Sequence, residues 1–469
     1  MSTEITTAPA AQGLLIPREA GELAARLADS VAVTDTGHGM RTQEVPAWLE
    51  SRRAAHVFQV DRIGFADLDA WSFAPETGDL GHRSGRFFTV EGLHVAVADG
   101  PVPEWEQPII NQPEVGIVGI LAKEFDGVLH FLMNAKMEPG NPNLLQLSPT
   151  VQATWSNYTR QHQGAGVKFI EYFLGPRHGR VLTDALQSEH GSWFYRKFNR
   201  NMIVETFDDI PPDDDYRWLT AGQLGRLLRY SNLVNMDTRT ILGCASPGFG
   251  ESNAVLSDVG LLSWFTGQRA RHRVTARRIP LRGIASWTRK DDVITNDAGR
   301  YFDVVAVRVR AGNREVTGWT QPLFAPNGLG ITAFLTRRIS GVPHLLAHAR
   351  VEAGFLAMTE LGPTVQCTPE NYAHLPAEKR PRYLDLVLGA GREQILYEAV
   401  HSEEGGRFLH AQSRYLFVKA DEAEIPLVPP AGYQWVTPGQ LCDLARHGGY
   451  VNVQARTLLA CLNTGAVRC

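Results

Sequence analysis

The chain repeats itself, and this repetition limits its possible folds more than any other feature. Displacing the sequence by 214 residues brings two halves into register. Gln107-Pro108 meets Gln321-Pro322, Gly127-Val128 and His130 meet Gly341-Val342 and His344, and Pro149-Thr150-Val151-Gln152 meets Pro363-Thr364-Val365-Gln366. Across 107–158 against 321–372, 20 of 52 positions are identical without a gap. The register continues outwards, with Ser188-Glu189 on Ser402-Glu403 and Phe194 on Phe408. It then slips by three residues at Pro211-Pro212 and the aspartates after them, so that Asn235, Arg239 and Cys244 meet Asn452, Arg456 and Cys461. A period this long is a whole domain rather than a solenoid unit.

The expected organisation follows. Residues 1–55 are an N-terminal extension with two helical stretches, Pro17 to Ala28 and Val45 to Ala55. Residues 56–245 form the first repeat, 246–270 a linker opened by Ser246-Pro247-Gly248-Phe249-Gly250, and 271–469 the second repeat. With 43% hydrophobic and 20% charged residues, the chain has ample material for more than one core. A net charge of −4 provides no basic field for a nucleic-acid backbone. The five cysteines include no C-x-x-C pair, and no apolar run is long enough to span a bilayer. A reducing, cytoplasmic setting is the expectation, with no nucleic-acid or membrane partner.

Within one repeat, Phe87 to Val97 reads as a strand. Val115 to Phe125 and Val128 to Met137 read as two strands joined by Asp126-Gly127, a hairpin signal that recurs as Ser340-Gly341. Thr220 to Leu228 and Thr437 to Ala445 read as helices, each opened by a Thr with Gln three residues on, as in a capping box. Strands and helices mix without strict alternation, which predicts an α+β fold.

One strand carries the chemistry. Its faces alternate, so Leu129, Phe131, Met133, Ala135 and Met137 share an apolar side. His130, Leu132, Asn134, Lys136 and Glu138 share the other, and the second copy sets out His344, Leu346, His348, Arg350 and Glu352. Each repeat thus ends one strand face on an amide or imidazole, a cation and a carboxylate. Either this is a site or the cation and carboxylate form a structural ion pair. His344 and His348 lie about 13 Å apart on a strand, which argues against a shared metal.

The segments QPIINQPEVGIVGIL, SPTVQATWSNY and SEHGSWFYRKFNRNM, with ARVEAGFLAMTELGPTVQCTPENY and SEEGGRFLHAQSRYLFV in the second copy, resemble the NDP-hexose 2,3-dehydratase family of deoxysugar biosynthesis over about residues 45 to 465. The resemblance implies two tandem Nudix-like domains and a homodimer. It implies a dTDP-4-keto-6-deoxyhexose substrate that loses water across C2 and C3, with a 3-ketoreductase acting downstream. Neither repeat has the Arg-Glu and Glu-Glu helix with which a Nudix hydrolase holds magnesium, so pyrophosphate cleavage is not expected.

Such a dehydration needs a base at C3, an acid for the departing C2 hydroxyl and a positive group or donor at the C4 oxygen. It is redox-neutral and needs no nicotinamide cofactor, and no G-x-G-x-x-G sits between a strand and a helix. Glu138 and Glu352 are candidates for the base, Lys136 and Arg350 for the cation, and His348 for the acid. His348, present only in the second copy, favours that copy for catalysis. Arg196, Arg200, Arg407 and Arg414 are candidates for the diphosphate. Trp155, Tyr158 and Trp193 are candidates for stacking on thymine, and Gln152 and Gln366 for bonding the sugar or base. The competing functions are a non-catalytic nucleotide-sugar-binding protein and a metal-dependent nucleotide hydrolase.

Overall fold

The computed structural model of the chain describes residues 20–98, 102–154, 166–175, 179–249, 253–312 and 316–469. Each repeat builds a seven-stranded mixed sheet. In the first, the order is Leu145–Ser148, Val128–Met137, Gly116–Phe125, Phe198–Glu205, Arg180–Ser188, with Val151–Ala153 added beside Gly116–Phe125 and Tyr216–Thr220 beside Val128–Met137. The second follows the same plan through Thr359–Gly362, Val342–Val351, Gly330–Ile339, Gln412–Lys419 and Ile395–Ser402, with Val365–Cys367 and Tyr433–Val436 added in the same places.

Local chemistry explains the central hairpins. Phe125 pairs with Val128 across a two-residue turn in which Asp126 and Gly127 have φ of 51° and 79°. Left-handed conformations at both positions match the turn to the twist of the strands, and glycine takes the second without a Cβ clash. Both capping boxes form: Thr220 accepts from Gln223 N and Thr437 from Gln440 N, while each Gln side chain returns a bond to its Thr backbone.

The two halves are interlocked. Phe58–Ile63 of the first repeat pairs antiparallel with Phe302–Ala311 in the second repeat's smaller sheet. Reciprocally, Val274–Ile279 of the second pairs with Thr89–Val97 in the first's. Each exchanged strand is preceded by a helix, Val45–Ala55 in one case and Asp258–Arg271, capped by Ser257, in the other. Residues 258–270 of the expected linker therefore lie in the helix that leads into the second exchanged strand. Val45–Ala55, assigned by sequence to an unmatched extension, is its counterpart. The extension helix proper is Ala20–Ala32, which seats Leu27 in the core and donates from Ser30 Oγ to Leu129 O at 2.6 Å.

Between the copies, the equivalent helices Met236–Gly243 and Val453–Asn463 pack together, and a Cβ at Gly243 would lie 2.4 Å from Arg456 O. One hydrophobic cluster takes in the apolar strand faces of both copies, Leu129 to Met137 and Leu345, Ala347 and Ala349. The opposite faces bury Leu132 and Leu346 in separate clusters. The polar side of each strand is thus closed for most of its length, and only its last residues face a site. Among the described residues, no helix is long and apolar enough to cross a membrane.

Candidate active site

The two polar strand ends form parallel hydrogen-bond chains through the Gln of the T-V-Q motif. In the first repeat, Lys136 Nζ donates to Gln152 Oε1 at 2.8 Å and Gln152 Nε2 donates to Glu138 Oε1 at 2.7 Å. Lys136 Nζ lies 3.8 Å from the Glu138 carboxylate itself. In the second, Arg350 Nε donates to Glu352 Oε1 at 2.6 Å and Gln366 Nε2 to the same oxygen at 2.9 Å, while Asn452 Nδ2 donates to Gln366 Oε1 at 2.8 Å. Lys136 thus reaches its carboxylate mainly through an amide, whereas Arg350 grips its own directly. Glu138 and Glu352 are both buried, at 4% and 5% exposure, and Glu352 Oε2 has no hydrogen-bond partner.

Each site is walled by the opposite repeat. Gly140 N donates to Gly405 O and His410 N to Gly140 O, both at 2.7 Å. The mirror contacts are Gly354 N to Gly191 O at 2.8 Å and Arg196 N to Gly354 O at 2.7 Å. A Cβ at Gly140 would lie 1.7 Å from Phe408 O, and one at Gly354 1.9 Å from Phe194 O, so only glycine permits the approach. Gly405 abuts Glu138 and Asn141, while Gly191 abuts Glu352 and Phe355.

The walls differ in charge. At the first site, burial pushes the Glu404 carboxyl up to about 7 against the pull of Arg407, with Glu138 and Glu189 adding to the rise. Burial also brings the Lys197 ammonium down to about 8. Asp237, in the first turn of Met236–Gly243, is raised well above the carboxylate range by burial and then by Glu189, Glu138 and Glu404. None of these three groups has a charged or titratable equivalent of the same sign in the other copy: His190, Ala411 and Gln454 stand in their places. At the second site, burial and then Arg350 drive His348 down to about 3, and its ring stacks on Tyr433 at 4.3 Å. A neutral imidazole stacked on Tyr433 is a weak proton donor for the acid role that its position in the sequence suggests.

The remaining sequence candidates separate. Trp193 packs against His190 and Phe408 beside the smaller-sheet core, not on an open face. Arg200 forks onto Asp184 at 2.6 and 2.8 Å, and its equivalent Arg414 pairs with Glu398 at 2.5 Å; both are ion pairs between neighbouring strands. Arg196 is exposed over the Tyr195 ring. Of these arginines, Arg407 is the one whose charge acts on Glu404 and Glu138, with its guanidinium 4.4 Å from the Phe88 ring and Nε donating to Gln112 Oε1 at 3.2 Å. The arginines therefore do not form one diphosphate cluster. Trp155 and Tyr158 lie outside the described residues. His344 spends both ring nitrogens on its own chain, at Val342 O and Val255 N, as His130 does at Val128 O and His38 N.

The seam between the walls holds a charged strut. His190 Nε2 lies 3.0 Å from Glu403 Oε2 and Nδ1 3.8 Å from Glu189 Oε2. Tyr415 OH also donates to Glu403 at 2.9 Å, and Asn199 Nδ2 to Glu189 at 2.8 Å. Burial alone would lower the imidazole, but the two carboxylates prevail and raise it to about 9 from the ordinary 6.5. A group raised in the folded state stabilises fully below its unfolded value and loses that contribution as pH climbs through the folded one. Lys197, held below its ordinary value, acts in the opposite sense over part of the same range. The stability difference between wild type and His190→Gln isolates the strut. It is expected to be largest near pH 6, to fall as pH rises from 6.5 towards 9, and to be nearly gone above 9, as read from denaturant midpoints.

Against known proteins, the family model for NDP-hexose 2,3-dehydratases matches twice, over residues 42–245 and 258–462. The chain is 59% identical over 457 residues to a dTDP-4-dehydro-6-deoxy-alpha-D-glucopyranose 2,3-dehydratase of Amycolatopsis orientalis, covering 96% of each chain. The chain belongs to the NDP-hexose 2,3-dehydratase family. Proteins of the same description from Streptomyces violaceoruber and Saccharopolyspora spinosa are 50% and 48% identical, covering 89% and 90% of this chain and 96% and 91% of theirs. The two family matches open at or beside the helices Val45–Ala55 and Asp258–Arg271, which places both helices inside the dehydratase repeat.

Glu404, His190 and Asp237 were the residues least accessible to sequence reasoning. The contrast of Glu403-Glu404 with Glu189-His190 in the alignment of the copies was one signal. The Asp237–Gln454 difference, two positions beyond the matched Asn235 and Asn452 caps, was another.

Proposed function

We propose that this enzyme removes the C2 hydroxyl of dTDP-4-keto-6-deoxy-D-glucose in the first repeat's pocket, yielding a dTDP-3,4-diketo-2,6-dideoxyhexose. The observation that carries the choice of pocket is the Lys136–Gln152–Glu138 chain, closed over by Glu404 from the other repeat. The 4-ketone acidifies the C3 hydrogen. Glu138 takes that proton, and its placement through Gln152 fixes one oxygen and orients the other. Lys136 supplies positive charge where the C4 oxygen becomes an enolate; such stabilisation counts for more in a site shielded from water. The enolate then expels the C2 oxygen as water, and the resulting enol rearranges to the diketone.

No electron leaves the substrate, so the balance requires no redox cofactor. The product is a reactive α-diketone, which calls for a 3-ketoreductase downstream. The same reading has the enzyme acting in the cytoplasm as a homodimer of Nudix-like repeats. Supplied with dTDP-4-keto-6-deoxy-D-glucose and a trapping reductase, the protein is expected to give a product lacking the C2 hydroxyl, detected by mass and NMR. Release of thymidine monophosphate instead would indicate a hydrolase. Tight binding without turnover, and without deuterium entering the sugar in heavy water, would indicate a binding protein.

A further inference from the structure

Three buried acceptor oxygens near Glu138 have no hydrogen-bond partner, Asn141 Oδ1, Asp237 Oδ1 and Glu404 Oε2, while Glu189 Oε2 faces the His190 ring at 3.8 Å. Buried acceptors left unpaired are costly and call for a donor. A hydroxyl-bearing ligand or a proton on one of the carboxyls would meet that need. Asn141 is fully buried and Asp237 is 3% exposed. At the equivalent positions of the second repeat stand Phe355, whose side chain is buried, and Gln454. The duplication has therefore kept the base and the cation in both copies but a carboxyl on this helix turn in only one.

We propose that Asp237 delivers the proton that lets the C2 hydroxyl leave as water, with Asn141 orienting that hydroxyl. This rests on the reading of the first pocket as the working site. Glu404 is the competing donor. Its Oε1 already accepts from Gly406 N at 3.1 Å, and Arg407 opposes the burial that raises it to about 7, whereas Asp237 Oδ1 has no partner. Burial, and then the charges of Glu189, Glu138 and Glu404, disfavour an ionised Asp237, with Lys136 as the opposing charge. A protonated carboxyl relieves that repulsion.

The step balances as follows. The C3–H bond breaks, with its proton going to Glu138 and its electron pair to the C4 oxygen. The returning pair forms the C2–C3 double bond as the C2–O bond breaks, and the departing oxygen takes the Asp237 proton. Asp237 ends as a carboxylate and Glu138 as an acid, so one proton must pass back through the pocket to reset the site. Gln454 could not serve this role in the other copy, because an amide has no acidic proton to give.

The test separates the donor from the base. Asp237→Asn is nearly isosteric and uncharged. It is expected to lower kcat for the natural substrate by about 100-fold or more with KM little changed. Its exchange of the C3 hydrogen with heavy water should persist, because the base is intact. The 2-deoxy-2-fluoro analogue of the substrate expels fluoride, which needs no proton, and Asp237→Asn should release fluoride at close to the wild-type rate. That result also shows that the variant is folded.

Wild-type dehydration by Asp237→Asn overturns the proposal, and so does a parallel loss of C3 exchange and fluoride release. The same pattern appearing in Glu404→Gln instead would transfer the role to Glu404. Undiminished C3 exchange in Glu138→Gln would fail the reading of the pocket itself, a different result from failure of the donor assignment.

Discussion

Glu138→Gln is expected to lower kcat for dehydration by about 1,000-fold while nucleotide-sugar affinity stays near wild type, because a buried base has lost its capacity to accept a proton. The amide keeps the shape of the side chain and can still contact Gln152, so the pocket should stay assembled. The informative comparison is Glu352→Gln, its counterpart in the second repeat. There the change strips Arg350 of the carboxylate it grips at 2.6 Å and leaves a guanidinium facing a neutral amide. Breaking such a pair costs stability, by up to about 3 kcal/mol at the low end of the range for buried pairs. Glu352→Gln should therefore melt at a lower temperature and, while folded, still turn over substrate. If Glu352→Gln is instead inactive and Glu138→Gln active, the second repeat is the working copy, as its His348 suggests from sequence alone. Steady-state kinetics below the melting temperature of each variant distinguish the two cases.

Arg456→Met is expected to destabilise the chain by about 3–5 kcal/mol, a large fraction of the free energy that holds a typical folded protein together. Its guanidinium is fully buried and donates to Val451 O at 2.5 Å, to Ser188 O at 2.6 Å and to Thr240 Oγ1 at 2.6 Å, two of these from the other repeat. A methionine fills much of the volume but leaves two buried carbonyls without donors. Arg239→Met should behave similarly, since that side chain donates to Val234 O at 2.6 Å and to Ser402 O at 2.5 Å. The two helices that carry them pack together, so the double variant should lose less than the two single losses combined. Urea midpoints give all three values. Ser188 adjoins Glu189 and His190, so Arg456→Met should also disturb the strut between the repeats. A midpoint unchanged from wild type would show that these arginines are not what joins the halves.

Much of this protein is local in origin and so legible in the sequence. The Asp126-Gly127 turn, the Thr220 and Thr437 caps and the helix Val45–Ala55 depend on neighbours a few residues away, and their signals lie within that span. The duplication follows from comparing the chain with itself. The alternation along Val128–Met137 shows which side chains share a face, and Lys136, Glu138, Arg350 and Glu352 do meet as that pattern predicts. The arginines of the 196–200 and 407–414 segments illustrate the limit. Spacing shows that they are near one another in sequence, but Arg200 and Arg414 are taken by carboxylates on adjacent strands.

Strand exchange and the composite pockets depend on contacts that no local pattern encodes. Phe58–Ile63 has the same strand character whichever edge it joins, and it joins one more than 240 residues away, at Phe302–Ala311. Glu404 reaches the first pocket only because Gly140 and Gly405 let two backbones touch. The residue types and the repeat are written in the sequence itself, and the local turns are set by short-range chemistry, so all three could be read directly. Which edge each strand completes, which wall closes each pocket and which buried carboxyl holds a proton were decided by packing. Burial and long-range charge, the forces that shift those protons, exist only once the two halves have closed on each other.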